Sequence, residues 1–202
     1  PHAGPATASR ALIPAAASAG IRLTLLPVLY MHAGFGAQPP EPAQAPFIHT
    51  VRDYLSLLGS LLGEQGEMAR IGIAFHSLRA VSPEAIAEVL AWRAGAAPEM
   101  PVHIHVAEQL QEVHECEAWS GLRPVEWLLE RGVVDEHWCL VHATHMTEAE
   151  THWLAATGAV ACLCPTTEAN LGDGLFPLAG YLAAGGRIAI GSDSHVSVSP
   201  VE

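Results

Sequence analysis

Short, nearly continuous apolar runs recur along the chain, each followed by a longer stretch in which apolar positions return at helical spacing. The runs cover residues 23–32, 71–77, 102–108, 139–144, 159–165 and 187–194. Apolarity without in–out alternation marks strands covered on both faces, the usual state of a parallel sheet. Most gaps between runs are wide enough for a crossover helix. Helix starts are signposted as well. Ser82-Pro83 supplies an N-cap followed by proline at the first helical position. Residues 109–119 and 124–130 read as further helices, and 147–156 as another, with Thr147 and Glu150 spaced as a capping box. The stretch 11–36 is apolar, but Pro14, Arg22 and Pro27 interrupt it, so it reads as a helix followed by a buried strand and not as a membrane span.

Alternating strands and helices predict an α/β fold with a parallel sheet. Polar residues decide between its two common forms, because they gather at the C-terminal ends of the runs: His32, His76, His105 with Glu108, His142 with His145, and Asp193 with His195. A (β/α)8 barrel brings all strand ends to one mouth, whereas an open sheet spreads them along an edge. The expected architecture is therefore a partial TIM-like barrel with about six of its eight strands, one domain over 1–202, cut from a longer chain at both ends.

Composition narrows the chemistry. With 202 residues, 50% of them hydrophobic and 15% charged, the chain can bury a sizeable core. Nine basic residues against 21 acidic ones give a net charge of −12, which excludes nucleic acid and anionic membrane as partners. Every basic residue is arginine, so lysine Schiff bases, P-loop lysines and carbamylated lysines are ruled out within this stretch. Twelve histidines stand out by contrast. The four cysteines form no C-x-x-C pair, and Cys139, Cys162 and Cys164 lie in apolar runs. They read as buried free thiols, which points to a reducing, cytoplasmic setting. Homodimerisation is left open.

In Val102-His103-Ile104-His105-Val106-Ala107-Glu108 two histidines share one strand face at period two, and either could hold a metal. Glu108 falls at the strand's exit, placed to exchange protons with a bound molecule. Val141-His142-Ala143 repeats the theme, and Gly191-Ser192-Asp193-Ser194 ends the last run with a carboxylate. Asp193 opposite several histidines suggests a site for zinc or a similar ion.

The series His105-x-x-Glu108, His142, Ser192-Asp193 resembles the mononuclear zinc deaminases of the amidohydrolase superfamily. Three further segments resemble its formimidoylglutamate deiminase subfamily: His76-Ser77-Leu78-Arg79-Ala80-Val81, Leu29-Tyr30-x-His32-Ala33-Gly34-Phe35-Gly36, and Cys164-Pro165-Thr166-Thr167-Glu168-Ala169-Asn170-Leu171-Gly172-Asp173-Gly174. The resemblance runs from about residue 21 to the end. It implies a barrel of the metal-dependent amidohydrolase type, with His105 and Asp193 as ligands to one zinc ion per complete chain. It further implies Glu108, His142 and Asp193 as proton-handling residues, and Tyr30, His76 and Arg79 as holders of a small dicarboxylate substrate. The arginine suits that role physically, because a guanidinium fork matches a carboxylate with two parallel hydrogen bonds. The implied reaction is hydrolysis of the formimino C=N bond of N-formimino-L-glutamate to N-formyl-L-glutamate and ammonia, a step of histidine degradation.

Two features qualify the resemblance. The family's first strand carries His-x-His with two more zinc ligands, and no such strand precedes the run at 23–32, so this stretch alone should bind metal poorly and turn over little. The place of the bridging lysine of two-metal relatives falls around His76, which implies a one-metal site. Two other readings stay open: a mononuclear zinc deaminase of a purine, pyrimidine or S-adenosylhomocysteine-like amine, and a non-catalytic α/β scaffold with structural histidines. A ring-reading site would want aromatic partners, yet Trp92, Trp119, Trp127 and Trp153 fall on helical stretches. A dianionic substrate also meets a net charge of −12, so arginines near the site must dominate at short range.

Overall fold

The computed structural model describes residues 5–193, and Ser194 and His195 lie outside them. The chain divides into two compact units between His103 and Ile104. Unit 1 contains helix α1 (Pro5–Ala19), strands β1 (Leu23–Leu25) and β2 (Val28–Leu29), helix α2 (Val51–Leu61), strands β3 (Ala69–Ile71) and β4 (Ile73–Phe75), and helix α3 (Pro83–Ala96). Strand β5 (Val102–Val106) contains the division. Unit 2 continues with α4 (Leu110–Ser120), α5 (Pro124–Glu130), β6 (Trp138–His142), α6 (Glu148–Thr157), β7 (Val160–Leu163), α7 (Pro165–Leu171), α8 (Leu178–Ala183) and β8 (Arg187–Ile190).

All six apolar runs form strands, and two of them are broken into pairs. In unit 1, β1 pairs in parallel with β3, and β2 with β4. Leu23 faces Ala69 and Leu29 faces Phe75, so one register carries across both breaks. The breaks fall at Leu26-Pro27 and Gly72. Proline has no N–H to give to a ladder, and Gly72 is needed for close approach: a Cβ there would lie 2.6 Å from Leu26 Cδ2 and 2.9 Å from Pro101 Cγ. Tyr54 of α2 repairs the gap. Its hydroxyl donates to Pro27 O at 2.8 Å and accepts from Ala74 N–H at 3.1 Å. Tyr54, Leu58 and Leu61 form the buried stripe of α2, the spacing of a helix face turned to a core. Burial drives the Tyr54 phenol pKa up from its usual value.

In unit 2 the strands are hydrogen-bonded in the order β5-β6-β7-β8. The β6–β7 and β7–β8 pairs are parallel, with Cys139 opposite Val160 and Cys162 opposite Ala189. Ile104, Leu140, Trp127, Leu128 and Trp138 are fully buried. The expected caps form: Ser82 accepts from Ala85 N–H, and Thr147 and Glu150 make the reciprocal capping box. Helix α4 starts and ends one residue later than expected, and α5 matches its expected span. The last run departs from expectation. Every residue of β8 is exposed, Ile190 at 65%, because β7 is its only strand neighbour among the described residues.

Candidate active site

The strand ends of unit 2 carry the polar residues, and their backbone there is unusual. Ala107, His142, Ala143 and Asp193 all have positive φ, at 50°, 69°, 46° and 59°. Non-glycine residues in this region cost on the order of 1–3 kcal/mol each and need support from their surroundings. The support is visible. Ala143 N–H donates to Val106 O and His145 N–H to Ala107 O, both at 3.0 Å. Glu112, from the first turn of α4 and 1% exposed, accepts Ala107 N–H at 3.0 Å and Glu108 N–H at 3.1 Å on its two oxygens. The exit from β5 is thus fixed by a buried carboxylate.

On this frame His105, Glu108, His142 and Asp193 come together, all within unit 2. The His105 and His142 rings stack with centroids 5.7 Å apart. Asp193 Oδ1 lies 3.8 Å from His105 Nε2, and Glu108 Oε1 lies 3.7 Å from His142 Nε2. The side chain of His142 is 1% exposed, against 37% for His105 and 25% for Asp193, so the group has a buried floor and an open rim. Thr167 donates its hydroxyl to Asp193 Oδ2 at 2.9 Å, leaving Oδ1 turned toward His105.

Sequence reasoning gave no role to Glu168, yet it organises this floor. Its Oε1 lies 3.2 Å from His142 Nδ1 and accepts Cys164 N–H at 2.8 Å. With Nδ1 engaged by the Glu168 carboxylate, the ring turns Nε2 toward Glu108. A signal for it existed: Pro165 opens α7, and Glu168 stands one turn after Cys164, the residue whose N–H it receives. Glu112 was missed as well, and its cue was its place in the first turn after β5.

Two groupings of the described residues could hold a metal ion. His105, His142 and Asp193 each offer a ligand atom within 4.8 Å of the others, as do His142, Cys164 and Glu168. The first fits zinc better. Two imidazoles and a carboxylate are an ordinary zinc donor set, and a histidine oriented by a carboxylate on its other nitrogen is the usual supporting arrangement. In the second, a hydrogen bond with Cys162 and burial both hold the Cys164 thiol well above its usual pKa, against the thiolate form that binds metal. His103 shares a strand with His105 but is in neither grouping. The four cysteines are free.

Of the three expected substrate holders, all in unit 1, Tyr30 and His76 meet in a T-shaped contact with centroids 4.6 Å apart. Both line an open recess of about 540 Å³ together with Gln44, Phe47 and His49. His76 Nδ1 lies 3.1 Å from Ser77 Oγ. Arg79 stands half-buried in the turn that follows.

A family model for amidohydrolases matches residues 4–201. The chain belongs to the amidohydrolase family. It is 55% identical, over all 202 of its residues, to formimidoylglutamate deiminase of Pseudomonas aeruginosa, of which it spans 44%. It is 32% identical over 143 residues to 5-methylthioadenosine/S-adenosylhomocysteine deaminase of Natronomonas pharaonis, covering 71% of this chain and 33% of that one. Among solved structures, an amidohydrolase from Brucella melitensis superposes with a TM-score of 0.86 at 48% identity, over 95% of this chain and 42% of that one. A zinc-bound adenosine deaminase from Xanthomonas campestris does so with a TM-score of 0.78 at 25% identity, over 94% and 40%. The α/β fold expected from the alternation of runs, and the partial amidohydrolase-type barrel expected from the polar strand ends and the family resemblance, are the fold of this chain, with parallel strands and no closed barrel among the described residues.

Proposed function

We propose that the protein carrying this chain hydrolyses the formimino C=N bond of N-formimino-L-glutamate, giving N-formyl-L-glutamate and ammonia, in the cytoplasm and with one zinc ion held in part by His105 and Asp193. The observation that carries the reading is the 55% identity to formimidoylglutamate deiminase along the entire chain. The unit 2 cluster is chemically suited to the task. Zinc, when bound, would polarise a water molecule and make it a nucleophile near neutral pH. Asp193, one oxygen of which is engaged by Thr167, would take up a proton as water adds to the formimino carbon. Glu108, anchored through its own N–H by Glu112, and Asp193 together hand both protons of the water to the departing =NH nitrogen, so that it leaves as ammonia while the oxygen stays on carbon as the formyl C=O. His142, held by Glu168, keeps Nε2 turned toward the reacting group. Arg79, Tyr30 and His76 bind the carboxylates of the substrate, and the arginine offsets the repulsion of a strongly acidic chain at short range.

The identity to a 5-methylthioadenosine/S-adenosylhomocysteine deaminase over part of the chain supports a second reading, deamination of a ring amine. The two separate on substrate. The full-length protein is assayed for ammonia release from N-formimino-L-glutamate, S-adenosylhomocysteine and adenosine side by side. Release from the first alone supports the proposal. Release from a nucleoside and none from N-formimino-L-glutamate overturns it.

A further inference from the structure

The recess in unit 1 contains a hydrogen-bond relay that fixes the direction of one proton. The backbone N–H of Glu41 donates to Gln44 Oε1 at 2.7 Å, and Gln44 Nε2 donates to the Tyr30 hydroxyl oxygen at 2.7 Å. Neither assignment can be reversed. A backbone N–H only donates, so the amide atom facing Glu41 must be the carbonyl oxygen, and the atom facing Tyr30 must be the NH2 group. An NH2 group only donates, so the Tyr30 oxygen accepts, and its own hydrogen must point elsewhere. Among the described residues the Tyr30 hydroxyl has no acceptor for that hydrogen, while the side chain lines the recess.

The chain holds Gln44 stiffly enough for this to matter. Gln44 N–H donates to Glu41 O at 2.9 Å, closing a tight turn. The turn is the short 3-10 helix Pro42–Phe47, with Pro42 at its start and Pro46 within it, and Pro39 and Pro40 precede it. Prolines fix φ and remove conformational freedom before any ligand arrives.

We propose that Gln44 is a positioning residue that commits the Tyr30 hydroxyl to donating its hydrogen to an anionic acceptor in this recess, a carboxylate oxygen of the substrate. The inference rests on the reading that Tyr30 meets the substrate's carboxylate, and it adds the residue that sets the polarity of the contact. A phenol that is already accepting one hydrogen bond is a better donor, because hydrogen bonds in a chain polarise one another. The same polarity disfavours ligands that present only N–H donors at this point.

The test uses the full-length protein with Gln44→Glu, Gln44→Met and Tyr30→Phe, singly and combined. The Gln44→Glu carboxylate can still accept from Glu41 N–H, but toward Tyr30 it can only accept, which reverses the phenol. With N-formimino-L-glutamate, Gln44→Glu is expected to raise KM about tenfold with kcat within about twofold, the loss of one hydrogen bond to a charged group. Gln44→Met is expected to raise it about threefold. The Gln44→Met effect should vanish in the Tyr30→Phe background, and the Gln44→Glu effect should shrink there to the repulsion between its carboxylate and that of the substrate. A KM unchanged by Gln44→Glu, or raised by the same factor when Tyr30 is already phenylalanine, overturns the proposal. A second readout needs no turnover. The tyrosine Fermi-doublet ratio in the Raman difference between the unaltered and Tyr30→Phe proteins reports whether the phenol accepts or donates. Accepting in the unaltered, ligand-free protein and donating in Gln44→Glu supports the relay, and donating in the unaltered protein overturns it. If the relay reads as expected while N-formimino-L-glutamate is not turned over, the proposed function fails and the polarity of Tyr30 stands.

Discussion

At the ends of β5, β6 and β8, Glu108, His142 and Asp193 are each held from behind by a second residue. Glu112 grips the backbone of Ala107 and Glu108, Glu168 orients His142, and Thr167 takes one oxygen of Asp193. The recess around Tyr30 and His76 is built otherwise. Tyr30, Gln44, His49 and His76 are half-buried there, Phe47 is 64% exposed, and its order comes from a proline-stiffened turn. Proton transfer is intolerant of misplacement by fractions of an ångström and depends on fixed tautomers, and the proposed function assigns it to the strand ends, which have buried carboxylate supports. Binding a carboxylate asks only for correctly aimed donors in a site that substrate can enter. Substitutions in the first region should therefore cost kcat, and those in the second should cost KM.

The largest break in that contrast comes from the cluster itself. Asp193→Asn is expected to lower kcat of the full-length enzyme by about a thousandfold, within the range of general acid–base contributions, and His105→Ala to lower both turnover and zinc content. Steady-state kinetics with metal analysis on each variant checks this, and a change confined to KM would count against the assignment. Next comes Glu168→Gln, which deprives His142 Nδ1 of its carboxylate. Activity or metal affinity should drop about 10- to 100-fold, as for other supports of metal-site histidines, with the circular dichroism spectrum unchanged. Arg79→Lys keeps the charge but loses the fork, and should raise KM about tenfold with little change in kcat. An equal drop in kcat would move Arg79 into the reacting centre.

Stability is affected least, and by residues that take no part in the chemistry. Glu112→Ala leaves two N–H groups without their acceptor and should destabilise the fold by about 2 kcal/mol in urea unfolding. It should also lower kcat, because Glu108 loses its anchor. Tyr54→Phe removes the hydroxyl that bridges Pro27 and Ala74 and should cost about 1–2 kcal/mol while leaving kcat unaltered. Equal effects of the two on kcat would erase the distinction between the regions.

The strands and helices were legible because their signals are local. Continuous apolar runs mark covered strands, and Ser82-Pro83 or Thr147 with Glu150 mark helix starts within four residues. The interruptions at Pro27 and Gly72 were not, since the register passes over both and the repair comes from Tyr54, distant in sequence. The site divides the same way. His105, His142 and Asp193 end apolar runs, where a polar side chain is conspicuous. Glu112, Glu168 and Gln44 occupy helical or turn positions where glutamate and glutamine are commonplace, and only folding shows which backbone or ring nitrogen, or which hydroxyl, each one meets. The exposure of β8 was equally hidden, because hydropathy reports what a strand could bury and not what lies against it.

The proposed function makes the strand-end cluster of unit 2 a zinc-assisted centre for cleaving a formimino C=N bond. The most direct test measures ammonia release from N-formimino-L-glutamate by the full-length protein, with zinc quantified on the same sample before and after Asp193→Asn. Rapid release with about one zinc per chain is expected, with loss of release in the variant. Release that survives the substitution, or an active protein free of metal, would contradict it.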